Sequence, residues 1–225
     1  DRVGTVAWNG YRHFELYYGV SGMGAILHTV NPRLFEEQIV YIINHARDKM
    51  LLLDQDFVGL VESIVEKIPD IERFIILGDR GCVPEPTKLG DVLYYDELIA
   101  DEPTTFDWPQ FDENTASSLC YTSGTTDAPK GAVLTQANLL AGAESVRLAW
   151  RWTADDRLLL CLPLFHMHGL GVGLHGTLLA GGSAVLQRGF DPDAVLDGLA
   201  GHACSMFFGV PTMYHRLVGH EGAIA

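Results

Sequence analysis

The chain has 225 residues, enough for one large or two small domains with a substantial core. Its 48% hydrophobic and 20% charged content, against about 25% charged in an ordinary soluble domain, points to extensive buried or covered surface. A net charge of −14 excludes general nucleic-acid binding, which needs a basic face, and no apolar run reaches the roughly 18 residues of a membrane-spanning helix. With no basic-apolar-small signal at the start, the expected setting is soluble and cytoplasmic. The four cysteines, Cys82, Cys120, Cys161 and Cys204, are too widely spaced for a disulfide frame or a zinc site and are expected to be buried free thiols; no metal-ligand constellation is expected.

Hydrophobic periodicity predicts strands alternating with helices. Val3–Trp8 reads as a buried strand, Tyr11–Val20 as a helix and Ala25–Val30 as a second strand, followed by a turn at Asn31-Pro32. Phe35, Ile39, Ile42, Ile43 and Ala46 share one helical face, and Met50–Leu53 is a short apolar strand. Phe57 to Ile68 repeats at helical spacing behind the candidate caps Asp54 and Asp56, and Phe74–Leu77 is the next strand. From Gly78 to Glu113 the pattern loosens into an acidic surface excursion with Pro84, Pro86, Pro103 and Pro109, holding one helical turn at Tyr94–Leu98.

The stretch Ser117–Asn138 is the chemically informative one. The apolar run Leu119-Cys120-Tyr121 enters a segment dense in hydroxyls and glycine, passes Lys130-Gly131 and becomes a helical pattern near Thr135. Thr122, Ser123, Thr125 and Thr126 offer hydroxyl donors, Gly124 and Gly131 let the backbone approach a ligand closely, and Lys130 adds a compact positive charge. This is an anion-binding composition suited to phosphate. The Walker A pattern G-x-x-x-x-G-K-S/T fails, because Lys130 precedes its glycine and follows Pro129.

Beyond it, Leu139, Leu140, Ala143, Val146 and Trp150 mark a helix face, Arg157–Leu162 a strand, and the glycine-rich His168–Leu179 a closely packed helix. Ala184–Gln187 is a strand. Asp191-Pro192 supplies an N-cap and first turn for a helix to about His202, Cys204–Val210 is a strand, and Pro211 opens a terminal helix. The predicted class is α/β, with layered, mainly parallel sheets flanked by helices.

Tyr121 to Gly131 resembles the signature of the adenylate-forming (AMP-binding) superfamily, approximately YTSGTTGxPKG, shared by acyl-CoA ligases with their luciferase and peptide-synthetase relatives. Asp127 is the one departure, standing where the family has glycine; a carboxylate there repels a triphosphate unless a cation intervenes or the side chain turns away. AWNGYRHFELYYGVSGMGAILHTVNPRL and YIINHA are similar to medium-chain fatty-acid CoA ligases. LPLFHMHGLG and FGVPTMYHRL are closer to the malonyl-CoA and short-chain acyl-CoA synthetases. Two origins follow, a divergent homologue or a chimera joined near Thr126.

The resemblance implies an ATP-dependent acyl-CoA ligase that activates a short- to medium-chain carboxylic acid as its adenylate and passes it to coenzyme A, with Mg2+ accompanying ATP. It assigns Thr122, Ser123, Gly124, Thr125, Thr126 and Lys130 to the ATP phosphates and places His166 beside the acyl carboxylate and α-phosphate. Gly209, Val210 and Pro211 fall at the acyl pocket, and Lys130 and His166 are the candidate catalytic residues. Residues 1–225 correspond to an incomplete N-terminal domain, divided into a first α/β portion (1–77), the excursion (78–113) and a phosphate-loop and acyl-pocket portion (114–225). No counterpart of the adenine-binding YGxTE-like motif, the ribose-binding aspartate or the small lid domain is present in these 225 residues. The chain is therefore expected to be an inactive piece that self-associates through uncovered apolar surface. Two other readings are a non-catalytic folding or interaction module disabled by Asp127, which Asp127→Gly would distinguish, and an acyl-AMP ligase or luciferase-like enzyme.

Overall fold

The structure, a computed structural model, describes residues 1–83, 86–122 and 128–220. It divides into two compact units, Asp1–Ala7 with Arg12–Gln136, and Trp8–Tyr11 with Ala137–Ala225.

In the first unit the elements run β1 (Arg2–Val6), α1 (Tyr11–Gly22), β2 (Ile26–Thr29), α2 (Glu36–Ala46), β3 (Met50–Leu53), α3 (Val58–Ile64), β4 (Arg73–Ile76), β5 (Leu93–Tyr94), α4 (Tyr95–Ala100), β6 (Ala116–Thr122) and β7 (Lys130–Thr135). The sheet order is β5-β4-β3-β1-β2-β6-β7, parallel throughout except for the antiparallel pair β6–β7. Consecutive residues are buried along β1, β3 and β4, so both faces of the sheet centre are covered, as parallel pairing requires. This central pattern follows the predicted one closely.

Four expectations are corrected in this unit. The excursion contributes strand β5 to the sheet edge, because Leu93-Tyr94 pair with Ile75-Ile76 before the chain turns into α4. The helix expected over Phe57–Ile68 is α only over Val58–Ile64, flanked by 3-10 turns at Gln55–Phe57 and Val65–Lys67, and Asp54 precedes the first turn without a side-chain capping bond. Phe35 is 80% exposed instead of joining Ile39, Ile42, Ile43 and Ala46, since it precedes α2 as its N-cap and lies off the buried stripe. Lys130–Thr135 is a strand, where a loop leading to a helix was expected, although the helix starts at Gln136, beside the predicted Thr135. Pro84 lies outside the described residues.

The second unit contains α5 (Gln136–Trp150, entered from β7), β8 (Arg157–Leu160), a π-helical run (His168–His175), α6 (Gly176–Leu179), β9 (Ser183–Leu186), α7 (Pro192–Gly201), β10 (Met206–Phe207) and α8 (Pro211–Val218). Its sheet is parallel with order β10-β8-β9. Leu158, Leu159 and Leu160 are fully buried, and Leu159, Cys161 and Val195 centre a core joined by Val185 and Phe207. Asp191 caps α7 as predicted, its Oδ1 accepting from the Ala194 amide at 3.0 Å, with Pro192 in the first turn.

Here too there are departures. The predicted strand Cys204–Val210 is ordered as a strand only at Met206-Phe207, and the predicted face of α5 buries only Ala143, while Leu140 and Trp150 are exposed. The glycine-rich helix is π-helical in its first eight residues, and its glycines do permit close packing: a Cβ on Gly173 would meet Leu160 at 2.9 Å and one on Gly176 would meet Trp152 at 2.2 Å. The four cysteines are free, but only Cys161 is buried; Cys82, Cys120 and Cys204 are half-buried. No described helix is long and apolar enough to cross a membrane.

Candidate functional site

In the first unit the strands on either side of the hydroxyl-rich segment, β6 and β7, form an antiparallel hairpin pair. β6 and β7 pair in register from Leu119–Val133 through Cys120–Ala132 and Tyr121–Gly131 to Thr122–Lys130, so the two ends of the signature face each other at the hairpin mouth. Both Thr122 and Lys130 are exposed, and the Thr122 hydroxyl donates to the Lys130 carbonyl at 3.4 Å. Ser123, Gly124, Thr125, Thr126 and Asp127 lie outside the described residues. Gly131 has a role that its sequence context did not reveal: a Cβ there would meet the Tyr121 ring at 3.1 Å and Leu119 at 3.1 Å. The aromatic ring covers the glycine across the strand pair, a known way of stabilising an edge glycine.

Behind Tyr121 lies a polar row. The Tyr121 hydroxyl is 2.7 Å from His45 Nδ1 in the last turn of α2, and its ring sits 5.1 Å from that of His28 on β2. His28 Nδ1 is 2.6 Å from Asp48 Oδ2, and both side chains are fully buried. Gly4, paired with His28 on β1, makes room for the carboxylate, since a Cβ would lie 3.0 Å from Asp48 Oδ2. Burial pushes the Asp48 carboxyl above its usual range, against the opposing pull of the His28 hydrogen bond, and burial also pushes the Tyr121 phenol up to about 12.

In the second unit the chain leaves the carboxyl end of β8 through Leu162-Pro163-Leu164-Phe165 to His166. Leu164 and Phe165 anchor this turn in the core, and His166 is exposed, its ring edge-on to Phe165 at 4.9 Å. The His166 amide donates to the Pro163 carbonyl at 3.1 Å, and its carbonyl accepts from Leu170 at 3.0 Å. Asn9 secures the same turn: its Nδ2 donates to the carbonyls of Leu162 at 2.9 Å and Gln187 at 3.1 Å, and its Oδ1 accepts from the Leu164 amide at 2.9 Å.

Gly209-Val210-Pro211 follow β10, the strand beside β8, and lead into α8, with Val210 as N-cap and Pro211 in the first turn. His166 and Gly209–Pro211 thus both lie beyond the carboxyl ends of adjacent parallel strands, where open α/β sheets bind ligands. Beside them, Phe208 stacks on Trp150 at 4.9 Å and lies 5.5 Å from Trp152 and 6.4 Å from His168. This aromatic group was missed in the sequence because its members come from three separate segments. Among the described residues, no group of three or more His, Cys, Asp and Glu side chains is placed to hold a metal.

The π-helical run ends in a titratable group. Loss of surrounding water pushes the partly buried His175 imidazole down to about 4, so on acidification the unfolded chain takes up this proton before the folded one. Stability from His175 is complete above pH 6.5 and is lost as pH falls from there through about 4, by about 2 kcal/mol after allowance for its partial exposure. Urea unfolding at pH 7.5 and pH 4.5 should show that difference in the wild type and a smaller one in His175→Gln; equal differences would remove the assignment.

A family model described as AMP-binding enzyme matches residues 1–225. The chain belongs to this family. It is 40% identical over 223 residues to a 3-methylmercaptopropionyl-CoA ligase of Ruegeria lacuscaerulensis, covering 98% of this chain and 41% of that protein. It is 36% identical over 229 residues to a medium-chain-fatty-acid–CoA ligase of Ectopseudomonas oleovorans, covering 98% and 41%. Among solved structures, ATP-bound MatB from Rhodopseudomonas palustris matches with a TM-score of 0.82 at 29% identity, over 98% of this chain and 41% of that one. This member of the AMP-binding enzyme family therefore spans about two-fifths of the length of the curated relatives it matches.

Proposed function

We propose that this chain is the phosphate- and acyl-holding portion of an ATP-dependent acyl-CoA ligase, a cytoplasmic enzyme acting on a short- to medium-chain carboxylic acid. The observation that carries the reading is the β6–β7 hairpin, which sets Thr122 opposite Lys130 at the two ends of a family signature segment. In the proposed reaction a carboxylate oxygen bonds to the α-phosphorus of ATP as the bond to pyrophosphate breaks. The thiolate of coenzyme A then bonds to the acyl carbon, and AMP leaves. Thr122, Ser123, Gly124, Thr125, Thr126 and Lys130 would hold the β- and γ-phosphates, with Lys130 neutralising charge as pyrophosphate departs. Mg2+, bound with the nucleotide, would screen the remaining phosphate charge.

His166 would donate a hydrogen bond to the carboxylate or the α-phosphate, and its exposure at a carboxyl-end turn suits that role. Gly209, Val210 and Pro211 would line the acyl pocket, and the Trp150, Trp152 and Phe208 rings offer an apolar wall for an acyl chain. Relatives that match on both sides of Thr126 favour a divergent member over a junction of two branches. The exposed Leu140, Leu148 and Trp150 of α5 favour self-association of the 225-residue chain.

The test is calorimetry of ATP·Mg2+ on the 225-residue chain and on Lys130→Ala. Removal of a charge-assisted phosphate contact should weaken binding by about tenfold or more, with melting temperature unchanged because Lys130 is exposed. Binding by the wild type that is insensitive to Lys130 would defeat the assignment. Asp127→Gly, measured in parallel, should raise affinity by removing a carboxylate from the anion segment.

A further inference from the structure

Tyr121 stands next to Thr122, the last residue of β6, and faces Gly131, the residue after Lys130, so whatever fixes Tyr121 acts on both ends of the signature segment. Three groups hold it. His45 bonds its hydroxyl from α2, the His28 ring lies against its ring from β2, and Gly131 lies under the ring across the hairpin. Tyr41 stacks on His45 at 5.3 Å with an interplanar angle of 17°, so the His45 ring is itself oriented from the same helix.

Beneath these lies a pair whose presence is costly on stability grounds. His28 Nε2 and Asp48 Oδ1 are buried and make no hydrogen bond, although each side chain bonds the other through its second polar atom. A buried pair with unsatisfied atoms contributes little or nothing to stability compared with well-packed apolar residues of the same volume. What such a pair does give is a fixed platform. Its ring orientation is set by one short bond, and the tyrosine ring rests on that ring.

We propose that His45 and Tyr121, seated on the buried His28–Asp48 pair, form a polar tether between α2 and the β6–β7 hairpin that sets the spacing of Thr122 and Lys130. They are positioning residues, acting on an anion through the two hairpin ends. The tether rests on the reading of residues 122–130 as a phosphate site for its purpose, but its geometry is testable without a ligand.

The variants are Tyr121→Phe, which keeps the ring over Gly131 and deletes the hydroxyl, His45→Ala, and His45→Asn, which keeps a hydrogen-bonding atom near the place of Nδ1. Amide hydrogen exchange by NMR is followed at Thr122 and Lys130 and, as an internal reference, at Leu51 and Leu52 in β3. Loss of the tether should speed exchange at the hairpin mouth about tenfold while the β3 amides stay within about twofold, and His45→Asn should restore most of the protection. ATP·Mg2+ affinity should weaken by about tenfold in the same two damaging variants.

Exchange at Thr122 and Lys130 that moves no more than at Leu51 and Leu52 would overturn the tether, as would failure of His45→Asn to rescue His45→Ala. Failure of Tyr121→Phe to fold would also overturn it, by showing the bond to be structural for the whole unit. If ATP binding proves insensitive to Lys130→Ala, the phosphate reading falls, while the exchange pattern still decides the tether.

Discussion

Asn9→Ala is expected to destabilise the second unit by about 3 kcal/mol, because one buried side chain satisfies three backbone groups, two of them through buried bonds. The bonds reach Leu162 and Leu164 on the turn after β8 and Gln187 after β9, so alanine would free the carboxyl ends of two strands at once. Asn9→Asp should be no better: a carboxylate can still accept from the Leu164 amide but places negative charge against the carbonyls of Leu162 and Gln187. Urea unfolding followed by the fluorescence of Trp150 and Trp152 reads the effect. A loss below about 1 kcal/mol in Asn9→Ala would mean that the turn is held by packing alone. If His166 acts on the acyl carboxylate, the same change should lower activity in an intact ligase by displacing the turn that carries it.

The second large effect is expected at Gly169. A Cβ there would stand 2.3 Å from the Pro163 carbonyl oxygen and 2.8 Å from that of Leu162, both backbone atoms of the turn that Asn9 holds in place. With no flexible side chain to give way, Gly169→Ala should cost about 3 kcal/mol or prevent folding, outweighing the roughly 1 kcal/mol by which alanine usually improves a helix. Gly171→Ala is the control, because its Cβ would meet only the mobile end of Met167 at 2.5 Å. That variant should stay within about 1 kcal/mol of wild type. Comparable losses at both positions in a urea titration would show that the π-helical backbone itself, and not the contact with the turn, requires glycine. Asn9→Ala and Gly169→Ala act on the same segment, so the double variant should lose less than the two single losses combined.

The sheet centres were readable from the chain because their signal is local. Apolar runs such as Leu51–Leu53 and Leu158–Leu160 are buried on both faces, and Asp191-Pro192 announces a helix start by capping chemistry alone. Strand β7 was hidden because Lys130-Gly131 at its head resembles a loop, and the Tyr121 ring that makes the glycine tolerable in a strand pairs with it only once the hairpin closes. Asn9 was invisible for a different reason. Its partners lie 153, 155 and 178 residues away. The α5 stripe misled in the opposite direction, since periodicity reports amphipathicity and not which face is covered. At the candidate site, Thr122, Lys130 and His166 are proposed from motifs that are local in the sequence, whereas the contacts of His45, Tyr121 and Asn9 join distant segments.

The order of strands in the first sheet has a further consequence. β1 with β2 and β3 with β4 pair across a single crossover and β1 with β3 across two, whereas β6 must find β2 across roughly ninety residues of intervening chain, as the pairing of Leu27 with Ser118 requires. Closing that span costs about 1 kcal/mol more chain entropy than closing the span between β1 and β2, and contacts of such long range are favoured late in folding. The sheet centre is therefore the scaffold laid down early, and the hairpin is the piece added to it. The spacing of Thr122 and Lys130, on which the proposed phosphate site rests, is tied to the most distant pairing in this sheet, so a partly folded chain would carry a native-like centre without it.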